Sequence, residues 1–111
     1  MKFSYYNPGN CAVTASMEFI GGKWKLIILY LLMGRTMRFG RIKSLIPAIS
    51  SKVLTAQLKE LEQDGLLIRE IVSQQPKEIE YSLTPQGTEL KIIIRELDKW
   101  GKKKLNITEK K

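Results

Sequence analysis

A chain of 111 residues, 43% of them hydrophobic, can build one cored domain and has little left for a second. Its first residues hold no secretory-type apolar run, and its longest apolar stretch, Leu26 to Met33, is far shorter than the roughly 20 residues that cross a bilayer. The single cysteine, Cys11, excludes an internal disulfide framework, and the expected compartment is a reducing cytoplasm. The net charge of +8 is uneven: residues 1–60 carry +7 and residues 61–111 carry +1, the segregation that a polyanion-binding surface requires.

In chain order, residues 1–10 read as an arm and Ala12 to Ile20 as a helix, with Val13, Met17 and Ile20 on one side. Gly21-Gly22 breaks it. Lys23 to Met33 resumes as a helix apolar nearly all round, hence central, with Gly34 as its stop. Arg38 to Leu45 is a short third helix with Phe39, Ile42 and Leu45 at three-residue spacing, ended by Pro47. Ser50 caps a fourth, which runs to Asp64 and stops at Gly65. Its Leu54, Leu58 and Leu61 point inward, while Ser51, Lys52, Thr55 and Lys59 share a polar face.

The period then changes to two. Leu66 to Ser73 and Glu78 to Leu83 read as the strands of a hairpin joined by Gln74-Gln75-Pro76-Lys77. Thr84-Pro85 opens a last helix with an apolar stripe of Leu90, Ile93, Ile94, Leu97 and Trp100. From Gly101 the chain is expected to fray, so residues 11–101 form the domain and 102–111 a basic tail.

Two short helices joined by a tight turn and followed by a hairpin spell a mainly α fold with a small β wing, a winged helix-turn-helix. The major groove of B-DNA admits one α-helix held by apolar anchors and presenting small polar or cationic side chains. Ser51, Lys52 and Thr55 lie near the start of the fourth helix, where the dipole also favours an anion; Ser50 and Lys59 extend the same surface. Arg38, Arg41 and Lys43 suit phosphate contacts from the preceding helix, and Lys77 from the wing tip. Taken alone, the fourth helix equally fits a solvated amphipathic helix; the element order and the charge segregation favour double-stranded DNA.

The chain resembles the HxlR-type family of winged helix-turn-helix regulators over nearly its whole length. The likeness is carried by Cys11-Ala12-Val13, Ile20-Gly21-Gly22-Lys23-Trp24-Lys25, Arg38-Phe39, Leu45-Ile46-Pro47 with Ile49-Ser50, Leu54 to Glu62, Asp64-Gly65-Leu66, Glu80 to Thr84, and Gly87. The resemblance implies a transcriptional regulator acting as a homodimer on a pseudo-palindromic operator, dimerised through its first and last helices. Val13, Met17, Leu90, Ile94, Leu97 and Trp100 supply apolar surface for that contact. It also implies that Cys11, like cysteines near the N-terminus of some members, senses oxidants or electrophiles; an ordinary unreactive thiol is the other reading. Trp24 and Trp100 are read as core or dimer packing.

An enzyme is not expected. The chain has no histidine, no metal-ligand spacing and no Gly-rich phosphate loop, so no catalytic residue, metal or cofactor is assigned. RNA stacking finds only Tyr81 in the hairpin. The alternative function is a winged-helix protein-interaction module without sequence-specific DNA binding, which would show neither duplex affinity nor its salt dependence.

Overall fold

The computed structural model describes residues 9–106. In chain order these form α1 (Ala12–Ile20), α2 (Lys25–Leu31), β1 (Met37–Arg38), α3 (Phe39–Leu45), α4 (Ser51–Gln63), β2 (Leu67–Gln74), β3 (Lys77–Leu83), α5 (Pro85–Thr88) and α6 (Lys91–Lys104). The architecture is helical with a small antiparallel sheet in the order β1-β3-β2, which is the winged helix-turn-helix expected. No helix among the described residues is long and apolar enough to cross a membrane.

The core forms where α2, α3 and α4 meet. Ile28, Leu29, Leu32, Ile42, Ile49, Leu54, Leu58 and Leu61 are essentially solvent-free, and Met37 and Tyr81 of the sheet and Ile94 of α6 close it. The inward spacing of Leu54, Leu58 and Leu61 fixes which way α4 faces. Its start is set by the Ser50 hydroxyl, which accepts the Val53 N–H at 3.1 Å, a cap worth about 1 kcal/mol. Its end is set by Gly65 at φ 76°, a left-handed turn that a side chain would strain. Lys25 is buried among these helices. Its ammonium lies 2.8 Å from Glu60 and so ties α2 to α4; a buried charge is tolerated only when paired in this way.

Four features differ from the reading of the sequence. The second helix starts two residues later and ends two earlier than expected, after Gly22 at φ 91° and with Trp24 as its cap; it is not buried all round, since Ile27 and Tyr30 are exposed. Met37 and Arg38 form a strand, pairing with Tyr81 and Glu80, so the third helix begins only at Phe39. The hairpin is tighter than drawn: Gln74 and Lys77 are paired strand residues, leaving Gln75-Pro76 as the turn, and a bulge falls between Ile71 and Ser73.

The last helix is split. Thr84 caps α5 as expected, accepting the Gly87 N–H at 3.0 Å, but Gly87 sits against the backbone of Leu66, where a Cβ would collide with the carbonyl oxygen. The Leu90 N–H then bonds back three residues to Gly87 at 3.1 Å, a tighter turn than an α-helix allows. Helix α6 restarts at Lys91 and passes through Gly101 to Lys104, with Lys102 held 2.9 Å from Asp98. Residues 102–104 of the supposed frayed tail are therefore helical. Residues 1–8 of the arm and 107–111 of the tail lie outside the described residues.

Candidate nucleic-acid interface

Helices α3 and α4 are joined by a turn whose buried Ile46 and Ile49 anchor it to the core, with the Ile49 N–H bonded to the Ile46 carbonyl at 3.1 Å. This packing leaves one face of α4 outside. Ser51, Lys52, Thr55 and Lys59 are all exposed on it. The Thr55 hydroxyl donates to the Ser51 carbonyl at 2.8 Å, which leaves its oxygen as an acceptor. Ser50 serves first as the cap. No acid occupies the first turn of α4, while Glu60 and Glu62 fall in its second half. The cationic, dipole-positive end of the helix is thus its N-terminal half.

Arg41 is exposed and Lys43 half-buried on α3, and Lys77 is exposed directly after the wing turn. Among the described residues Arg41, Lys43, Lys52, Lys59 and Lys77 form no ion pair, so their charge is available to a partner. Arg38 is different. Its Nη2 lies 2.8 Å from Glu78 and its Nε 3.9 Å from Glu80, both on β3. The sequence reading gave these glutamates no role, because without β1 nothing placed them beside Arg38. The exposed Arg69 of β2 was also passed over.

A second surface lies on α1 and α6. Val13 is 73% and Trp100 64% exposed, Met17 and Leu97 about half, and Leu90 is half-buried. Ile94 is not on this surface: it belongs to the chain's own core. Its place is taken by Ile92 and Ile93, which line a shallow concavity of about 850 Å³ with Leu97 and Trp100. Phe19 on α1 is exposed as well. Only the last residue of α1, Ile20, is buried.

Cys11 is the N-cap residue of α1 and is free and partly exposed. Hydrogen bonding with the Thr14 side chain, then with the Thr14 backbone, lowers its thiol pKa against the opposing effect of partial desolvation.

The HxlR-like helix-turn-helix family model matches residues 19–109 of this sequence. Among curated proteins, the HTH-type transcriptional regulator YybR of Bacillus subtilis is 38% identical over 108 residues, covering 97% of this chain and 86% of that protein. YdeP of the same organism is 44% identical over 93 residues, covering 84% of this chain and 73% of that protein. Among solved structures, the redox regulator HypR in its oxidised form superposes with a TM-score of 0.80 at 40% identity, covering 84% of this chain and 96% of that one. The reduced form of the transcriptional regulator YodB from B. subtilis does so with a TM-score of 0.72 at 33% identity, covering 83% and 91%. YybR, YdeP and YodB carry the name of transcriptional regulators, and HypR that of a redox regulator.

Proposed function

The chain belongs to the HxlR-like helix-turn-helix family, and from that premise we propose that it is a cytoplasmic homodimer that binds a pseudo-palindromic operator in double-stranded DNA and regulates transcription there. The observation that carries this reading is the outer face of α4. A helix locked to the core by Leu54, Leu58 and Leu61 presents Ser51, Lys52 and Thr55 at its dipole-positive end. Arg41, Lys43, Lys59 and Lys77 flank them with unpaired charge. Ser51, Lys52 and Thr55 read base edges or phosphates, Ser50 and Lys59 border them, and Arg41, Lys43 and Lys77 bind phosphate.

The test is selection from a random 30-base-pair pool. The protein is expected to enrich an inverted repeat with half-sites one helical turn apart, roughly 34–36 Å. Its affinity for the enriched duplex should fall steeply with salt, by about 0.9 log units per contacted phosphate for each tenfold rise. No enrichment and no salt dependence would instead favour a protein-interaction module.

A regulatory reading rests on Cys11. Its hydrogen bonds to Thr14 favour the thiolate, and with one cysteine per chain any protein–protein disulfide joins two chains. Oxidation by diamide, in which two Cys11 thiols give up two protons and two electrons, then alters the packing of α1 and with it the spacing of the recognition helices. Diamide is expected to change affinity for the selected duplex by about fivefold or more, and Cys11→Ser to bind DNA while ignoring the oxidant. Because the pKa is lowered, alkylation by iodoacetamide should rise at a lower pH in the folded protein than in the urea-unfolded chain. An unmutated protein whose DNA affinity is indifferent to diamide makes Cys11 an ordinary thiol.

A further inference from the structure

The wing carries its carboxylates on one side. The register places Arg38 opposite Glu80, and Glu80 opposite Glu70, so these three form a row across the sheet on one face; Glu78, two residues from Glu80, shares it. The opposite face holds Met37 and Tyr81, which are buried in the core. The outer face therefore bears three carboxylates, two of them directly across from each other, an arrangement that repels within a sheet. One guanidinium engages two of them. Arg38 engages Glu78 at 2.8 Å and Glu80 at 3.9 Å, and Glu78 immediately follows Lys77, the cation of the wing tip.

Arg38 is also the last residue of β1 and the N-cap residue of α3. Its ion pairs thus join the start of the helix-turn-helix unit to the strand that carries the wing tip. A lysine would supply the charge but not the fork that meets two carboxylates at once.

Resting on the DNA-binding reading, we propose that Arg38 is a positioning residue of the interface: its guanidinium, shared by Glu78 and Glu80, offsets part of the acidic outer face of the wing and holds Lys77 in place relative to α4. It acts through the wing and makes no phosphate contact of its own. This revises the role that its charge suggested in the sequence, where it stood beside Arg41 and Lys43 as a phosphate ligand.

The experiment is a double-mutant cycle on the dimer, with Arg38→Gln, Lys77→Ala and the two together. Binding is measured against salt on the selected duplex and on a random-sequence duplex of equal length. If Arg38 acts by holding Lys77, each single substitution weakens both duplexes by about fivefold to tenfold. Each also flattens the log–log salt slope by about one phosphate, and the double substitution does no more than either. The free protein reports the same tie without DNA: amides of 77–80 should exchange about fivefold to tenfold faster in Arg38→Gln. Multiplying effects, with a slope loss of about two phosphates in the double variant, overturn the proposal and make Arg38 a direct contact. Unchanged wing exchange in Arg38→Gln overturns it as well. If the unmutated protein holds neither duplex, the DNA reading itself fails, a different outcome from additive effects on a protein that binds.

Discussion

Leu97→Asp is expected to convert a dimer into a monomer at micromolar concentration and to abolish tight operator binding. The reason starts with α1. A nine-residue helix with one buried residue cannot stand alone, since isolated helices of this length are marginal in water. Yet α1 displays Val13, Met17 and Phe19, and α6 displays Ile92, Ile93, Leu97 and Trp100. The radius of gyration, 16.1 Å, exceeds the roughly 13 Å of a compact chain of this length, as expected for a chain whose helices reach beyond its own core. Apolar surface of this extent on projecting helices calls for a partner, and a second copy offers the same helices in return.

Two-fold symmetry then doubles the effect of one substitution. Leu97 is already about half-buried in its own chain, so losing the rest of its burial costs about 1 kcal/mol per protomer, hence about 2 kcal/mol per dimer, or about thirtyfold in the dimer Kd. The carboxylate adds a desolvation cost in the same direction. Sedimentation velocity of the unmutated protein and of Leu97→Asp checks this, with circular dichroism to show that the variant keeps its helices. A monomeric unmutated protein, or a Leu97→Asp variant as dimeric as the original, would remove α6 from the interface. Ile94→Asp serves as the contrast, because Ile94 is buried within its own chain and its loss should unfold the domain instead of splitting the dimer.

That contrast marks where the sequence was legible. The stripe from Leu90 to Trp100 has the correct period, but a period cannot tell the helix side that meets the chain's own core from the side that meets a second chain. Ile94 and Leu97 lie three residues apart, one buried and one half-exposed. Helix α4 was readable to within a residue because cap, leucine spacing and Gly65 all act locally. The strand at Met37 and Arg38 was not, since two residues show no alternation and their pairing with Tyr81 and Glu80 spans more than forty positions. The split between α5 and α6 was hidden for the same reason: it arises where Gly87 meets Leu66, a contact made only in the folded chain. Cationic residues were easy to find, but the charge available to DNA depends on partners. Of the cations counted in the charge of residues 1–60, Lys25 is paired with Glu60, and Arg38 with Glu78 and Glu80.

The exposed polar face of α4 gives the remaining expected result. Lys52→Ala and Thr55→Ala should each reduce the preference for the selected duplex over a random one by roughly 1–3 kcal/mol, about five- to 150-fold. Both side chains stand on the exposed side of a helix fixed at three points by buried leucines, so neither substitution disturbs the core. Thr55 contributes through its oxygen, whose proton already serves the Ser51 carbonyl; it accepts from a base amino group, and its methyl can meet a thymine methyl. Lys52 lies in the first turn of α4, where its ammonium and the helix dipole favour the same electronegative base edge or phosphate. Lys77→Ala provides the opposite signature, weakening both duplexes equally while leaving their ratio unchanged, because a phosphate contact carries no sequence information. The measurement is competition binding at fixed salt with the two duplexes in one tube. If Lys52→Ala and Thr55→Ala keep the full ratio while Lys77→Ala changes it, sequence is read by the wing and α4 merely docks. The acidic outer face argues against that outcome: its row is Arg38, Glu80 and Glu70, Arg38 is committed to glutamates within the sheet, and carboxylates facing a groove would be repelled by the phosphates on both sides.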